Sequence, residues 1–173
     1  MTLEQGGDFE CVRKFCYLGD MISETGGAGQ ASFMRVNCAW QKFRELSPIL
    51  TVKSVSLKLK GMLYKSCVQS VMLYGSETWP MKVEDMKRLV GAERMMVGWM
   101  CGVTLGDRVP SGGLLERLDV VCVTELLTRG RLRWFGHVKR KEDSDWVKAC
   151  QKFEVEVIGK TGRAETERHG WNV

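Results

Sequence analysis

The stretch Ser56-Leu-Lys-Leu-Lys-Gly-Met-Leu-Tyr-Lys-Ser-Cys-Val-Gln-Ser-Val-Met-Leu-Tyr74, followed by Gly75, decides what kind of fold this chain adopts. Leu59, Leu63, Cys67, Val71 and Tyr74 recur at steps of three and four, the period of one face of an α-helix. That stripe is expected to be buried, with Lys58, Lys60 and Lys65 elsewhere on the helix. The helix is expected to begin near Ser54 or Ser56 and to run to Tyr74, and Gly75 suits the left-handed position that commonly ends a helix. The fold class expected from this reading is mainly α.

The neighbouring segments extend it. Phe33, Val36, Trp40 and Phe43 mark an earlier amphipathic helix, with Ser32 as its cap and its end before Pro48. A third helix follows Pro80, where Val83, Met86, Val90, Val97 and Met100 lie near one face and Glu93 interrupts it. Residues 102–113 read as a loop, and shorter helical pieces follow at 114–118, 121–128 and 132–141. Before the helices, residues 9–24 alternate in the manner of a short β-hairpin, with Arg13-Lys14 as its turn. Thr25-Gly26-Gly27-Ala28-Gly29 then breaks the chain. The expected organisation is a flexible start at 1–8, a hairpin at 9–24, a helical bundle over 31–157 and a disordered tail at 158–173.

A chain of 173 residues, 44% hydrophobic and 27% charged, is large and apolar enough to bury a core. Its longest run without a charged residue is Met95–Gly106, well short of the ~18 apolar residues a membrane span needs. The first eight residues lack the basic and apolar regions of a secretory signal, so the expected setting is intracellular, nucleus or cytoplasm, with no membrane partner. Charge is uneven along the chain: −3 over 1–32, +6 over 33–75, −2 over 76–125 and +4 over 126–173. Two basic blocks point to a polyanion.

The chemistry-bearing patterns are mostly absent. Seven cysteines at 11, 16, 38, 67, 101, 122 and 150 contain no C-x-x-C pair and read as reduced thiols. A zinc site built on His137 with Cys101 or Cys150 lacks tight ligand pairs. The cluster Glu142-Asp143-Ser144-Asp145 reads more simply as a solvated cap than as a cation site. Gly159-Lys160-Thr161 fails as a phosphate loop because Glu154 stands where that loop needs glycine. Neither a catalytic residue, nor a metal, nor a cofactor is expected.

The suggestive stretch is Arg129-Gly-Arg-Leu-Arg-Trp-Phe-Gly-His-Val-Lys-Arg-Lys141, six cations around an aromatic pair and no acid. On a helix Leu132, Phe135 and Val138 can face the bundle, leaving Arg129, Arg133 and Arg140 near a common side. Cationic side chains displace counterions from a nucleic-acid backbone, and an aromatic such as Trp134 stacks on a base or sugar. The expected contacts are Lys58, Lys60 and Lys65 on one helix, and Arg129, Arg131, Arg133, Trp134, Lys139, Arg140 and Lys141 on another. The plainer alternative is that the aromatics are core and the arginines snorkel.

Three strings carry a family resemblance. Phe15-Cys16-Tyr17-Leu18-Gly19-Asp20-Met21-Ile22-Ser23 resembles the F-x-Y-L-G-x-x-I-S segment of LINE-type (non-LTR) retrotransposon reverse transcriptases. Leu73-Tyr74-Gly75-Ser76-Glu77-Thr78-Trp79 is similar to their L-Y-G-C/S-E-T-W string, and Arg131-Leu132-Arg133-Trp134-Phe135-Gly136-His137-Val138 to their R-L-x-W-F-G-H-V string. The resemblance covers roughly residues 9–157, with the strings in the family's order.

It implies that the first string, with Phe15, Tyr17, Leu18 and Gly19, is the primer-grip hairpin just after the palm. The helices that follow would be the thumb and the connecting region, which hold template–primer duplex by its backbone. The family polymerises through metals held by palm aspartates in a Y/F-A-D-D-type string, which this sequence lacks. Its adjacent acidic pairs, Glu84-Asp85 and Glu142-Asp143, are not in a strand–turn–strand context. Gly162-Arg163-Ala164-Glu165 also departs from the family's G-R-G-R-P tail, as a frameshifted or decayed copy would. The expectation is a reverse-transcriptase-like fragment that binds nucleic acid and does not polymerise. The alternatives are a helical interaction domain, associating through the face that would pack on a palm, or a translated remnant without function.

Overall fold

The computed structural model describes residues 12–17, 20–23, 29–79 and 81–150. The expected ends at 1–8 and 158–173, together with Leu18 and Gly19, lie outside the described residues. The architecture is mainly α with a short hairpin at its start. The chain divides into two compact units, Met1–Gly136 and His137–Val173.

In the first unit, β1 (Lys14–Tyr17) pairs antiparallel with β2 (Asp20–Ser23), in the register Lys14↔Ser23 and Tyr17↔Asp20. Lys14 is therefore a strand residue, and the reversal falls between Tyr17 and Asp20, not at Arg13-Lys14 as the alternation suggested.

The first helix, α1 (Gly29–Leu50), runs past Pro48. Proline cannot supply the N–H that the Arg44 carbonyl would receive, but the Ser47 hydroxyl donates to that carbonyl at 2.8 Å. Ser32 is not the cap. It is buried inside α1, where its hydroxyl donates to Asp85 Oδ1 at 2.9 Å.

Ser56 does cap α2 (Leu57–Leu63), its hydroxyl accepting from Leu59 N–H. The helix continues through a π-helical turn (Tyr64–Gln69) into α3 (Ser70–Met72). Within the π turn the Ser66 hydroxyl donates to the Met62 carbonyl at 2.9 Å and reaches that of Leu63 at 3.3 Å, supplying a partner where the usual ladder is disrupted. Gly75 holds φ +74°, the left-handed conformation its position called for.

The buried face of this helix is turned one residue from the expected stripe. Lys60, Gly61, Tyr64, Val68, Gln69 and Met72 are buried, whereas Leu59 and Tyr74 are exposed and Leu63, Cys67 and Val71 are half-buried. Gly61 explains the choice. A side chain there would place Cβ 1.8 Å from the Leu118 carbonyl oxygen, so glycine lets the chain at the end of α5 (Ser111–Leu118) sit directly on α2. That close backbone approach is possible only with Gly61 on the side of α2 that faces α5.

The next helix, α4 (Val83–Cys101), buries Asp85, Leu89, Ala92, Glu93, Met96, Val97 and Met100. Glu93 does not interrupt the buried face; it is part of it. Val83 and Val90, expected inside, are exposed. One core cluster joins α1, the π turn, α3, α4 and α5, with Phe43, Tyr64, Leu89, Met96 and Leu118 at zero exposure. A small second cluster holds Ala31 and Trp79.

The expected pieces 121–128 and 132–141 are one helix, α6 (Val123–Arg140), which runs across the division between the units. Gly130 fails to break it and instead accommodates the Glu77 side chain, 3.5 Å from where a Cβ would stand. In the second unit α7 (Trp146–Cys150) follows a turn in which Asp145 Oδ1 accepts the Val147 N–H. No helix among the described residues is long and apolar enough to cross a membrane.

Candidate nucleic-acid interface

The cations expected to meet phosphates divide into those the fold uses and those it leaves outward. Lys60 is used. Its ammonium is buried and donates to the Met100 carbonyl at 2.9 Å, satisfying an acceptor in the last turn of α4. It is not available to a phosphate, a consequence of the one-residue turn of the buried face. Lys65 reaches the Asp119 carbonyl at 2.8 Å and its carboxylate at 3.1 Å, bridging to the residue that ends α5. Lys58, at the start of α2, is exposed.

On the part of α6 in the first unit, Arg131 is also structural. Its guanidinium donates to the Trp79 carbonyl. Two of the strings that carried the resemblance therefore dock on each other: Arg131 of one bonds to Trp79 of the other, and Gly130, just before Arg131, lies beside Glu77. Arg129 forms an (i, i+4) ion pair with Glu125, both ends more than two-fifths exposed, an arrangement of small stabilising value. Arg133 is exposed, and beside it Trp134 is 39% and Leu132 51% exposed. Phe135, also expected in the core, is 36% exposed; of the predicted inward trio only Val138 is buried.

In the second unit Lys139 and Arg140 are exposed. Lys141 pairs with Asp145 at 2.7 Å, and Lys148 pairs with Asp143 at 2.9 Å and donates to the Lys141 carbonyl at 2.8 Å. The acidic cluster 142–145 is thus tied to nearby lysines and to the start of α7, as a cap would be. At the hairpin, Phe15 is exposed and Tyr17 ends β1.

No group of three metal-ligating side chains occurs among the described residues. Cys38, Cys67, Cys101, Cys122 and Cys150 are free thiols, and burial pushes the Cys101 thiol up, away from the nucleophilic thiolate.

One polar knot escaped the sequence reading. Glu93 on α4 accepts from Gln69 Nε2 at 3.2 Å and from the Val123 N–H at 3.2 Å, the first residue of α6. Gln69 Nε2 also donates to the Val121 carbonyl at 2.7 Å. A carboxylate from another helix thus caps the helix that carries the basic stretch, where the helix dipole favours negative charge. Burial nevertheless pushes the Glu93 carboxyl up to about 7, against the lowering effect of its hydrogen bonds to Val123 and Gln69. The only signal in the sequence is an acid within an apolar stripe, which does not reveal its partners.

No protein-family model matches the chain, and no solved structure matches it. It is 25% identical over 142 residues to an uncharacterized transposon-derived protein of Caenorhabditis elegans. That match covers 79% of this chain and 50% of the relative, so the chain spans about half the length of the protein it matches. The chain is similar to a protein of transposon origin.

Proposed function

We propose that the chain is a reverse-transcriptase-like segment of a non-LTR retroelement, its primer-grip-like hairpin and thumb-like helices, which binds template–primer nucleic acid through the backbone and does not polymerise by itself. The observation that carries the reading is the outward side of α6 in the first unit, where Arg133 is exposed beside Leu132 and Trp134. The three sequence strings and the similarity to a transposon-derived protein support the same origin. Catalysis is left out because the sequence lacks the Y/F-A-D-D-type string whose aspartates hold the metals in the family it resembles. The proposed setting is the nucleus or the cytoplasm.

A filter-binding titration against RNA–DNA duplex tests this. Binding that weakens log-linearly with salt is expected, and no binding at low salt overturns the proposal.

A second reading, a helical interaction domain, is favoured by the exposed apolar side chains Leu59, Met62 and Val83. Self-association insensitive to salt on size-exclusion chromatography supports that reading.

A further inference from the structure

Along the chain α4 is electrically neutral, with Glu84, Asp85 and Glu93 balancing Lys87, Arg88 and Arg94. Folding removes two of its acids from the surface. Asp85 is buried against Ser32 and Arg88, and Glu93 against Gln69 and Val123. What α4 turns outward includes Lys87, Arg88, Val90, Arg94, Met95 and Trp99, with Val83 and Glu84 at the first turn. Lys87 and Arg94 are seven residues apart, two turns along one side of the helix. Gly91, with nothing near its absent Cβ, leaves the surface between them low.

Arg94 also begins a groove of about 230 Å³ whose walls include Met95, Gly98, Trp99 and Thr104. Trp99 is 52% exposed, yet its ring is held by Trp40 at 5.5 Å and Phe43 at 6.0 Å between centroids. The Asp107 carboxylate beside the groove is occupied by the Thr104 N–H and hydroxyl at 2.7 and 2.8 Å. The result is a fixed aromatic ring in a small open groove, continuous with a basic helix side.

We infer that the outward side of α4 from Lys87 to Trp99 is a nucleic-acid site for a single strand, with phosphates at Lys87 and Arg94 and an unpaired base stacked in the Trp99 groove. The inference rests on the nucleic-acid reading above and adds to it a second surface and a strand type. Charge complementarity selects the occupant, because Arg94 lines the groove and Lys87 lies two turns along the same helix side. Asp85, Glu93 and Asp107 are buried or hydrogen-bonded, and the outward Glu84 stands at the helix start, the end away from the groove. The groove lies below the roughly 300–1,000 Å³ of drug-sized pockets, a size that suits one planar ring system. A base within a duplex has both faces stacked, so only an unpaired base reaches a ring of this kind.

The test uses the full chain, a fluorescent oligothymidylate and a labelled RNA–DNA duplex, with anisotropy as readout. Trp99→Leu keeps apolar bulk against Trp40 and Phe43 while removing the stacking ring; an unchanged circular-dichroism melt checks that it folds. Trp99→Leu is expected to weaken the single strand about tenfold and the duplex less than about twofold. Arg94→Gln, which leaves the aromatic packing intact, is expected to lower the single-strand salt slope by about one. If the wild type binds duplex but both variants bind the single strand as tightly as the wild type, this inference fails and the duplex reading stands. If the wild type binds neither nucleic acid, both fail. If Trp99→Leu instead converts a dimer to a monomer on size-exclusion chromatography, the groove belongs to a second copy and the inference is overturned.

Discussion

At the scale of single residues, Glu93 and Arg131 define two testable roles. The Glu93 carboxyl is raised from its ordinary 4.5 to about 7, so the folded protein binds a proton there more tightly than the unfolded chain does. The stability this contributes is full below about pH 4.5 and is lost as the pH rises through about 7, a difference of roughly 3 kcal/mol. Urea unfolding of the wild type and of Glu93→Gln should therefore diverge between about pH 4.5 and pH 8, the amide variant keeping its stability at the alkaline end. Parallel pH profiles would contradict the assignment. Tyr64 shares the buried site: its hydroxyl has no hydrogen-bond partner among the described residues, and burial first, then the Glu93 charge, pushes it well above its ordinary value. Arg131 and Arg133 differ although both were expected to meet phosphates. Arg131→Ala removes the bond to the Trp79 carbonyl and should cost about 1–3 kcal/mol in denaturant unfolding. Arg133→Ala should leave stability within about 0.5 kcal/mol and lower the duplex-binding salt slope by about one.

At the scale of elements, the contact of α2 with the end of α5 sets which side of α2 faces the core. Gly61→Ala would place a methyl 1.8 Å from the Leu118 carbonyl oxygen, and backbone cannot yield as a flexible side chain can. Thermal melting should report a loss of about 1–3 kcal/mol or more, compared with gain for the same change on an ordinary exposed helix turn. Gly91→Ala on α4, where nothing lies within 4 Å, is the matched control and should melt at or above the wild type. The helical elements themselves were readable from periodicity: a helix start near Ser56, Gly75 as a stop and the three long helices all occur. Their phases were not. A one-residue rotation exchanges Leu59 for Lys60 at the buried position, and local hydrophobicity cannot weigh a backbone contact made by residue 118. The continuity of α6 through residues 129–131 was likewise not legible, because the apolar period of the two expected pieces does not run through them.

At the scale of the whole molecule, the net charge of +5 understates how folding sorts charge. Burial takes Lys60 from a basic block and Asp85 and Glu93 from an acidic one, so the block that counts as −2 along the chain carries an outward basic side on α4. The sequence by itself determined the helical class, the hairpin and the order of the elements, because these depend on residue periods of two and three to four within a few turns of chain. It also carried the strings whose resemblance implies a transposable-element origin, the coarser point on which the transposon-derived relative agrees. Only the tertiary structure decided which cations and acids remain outside. The reason is that burial of an ionisable group depends on partners far along the chain: Met100 for Lys60, Ser32 for Asp85, and Gln69 and Val123 for Glu93.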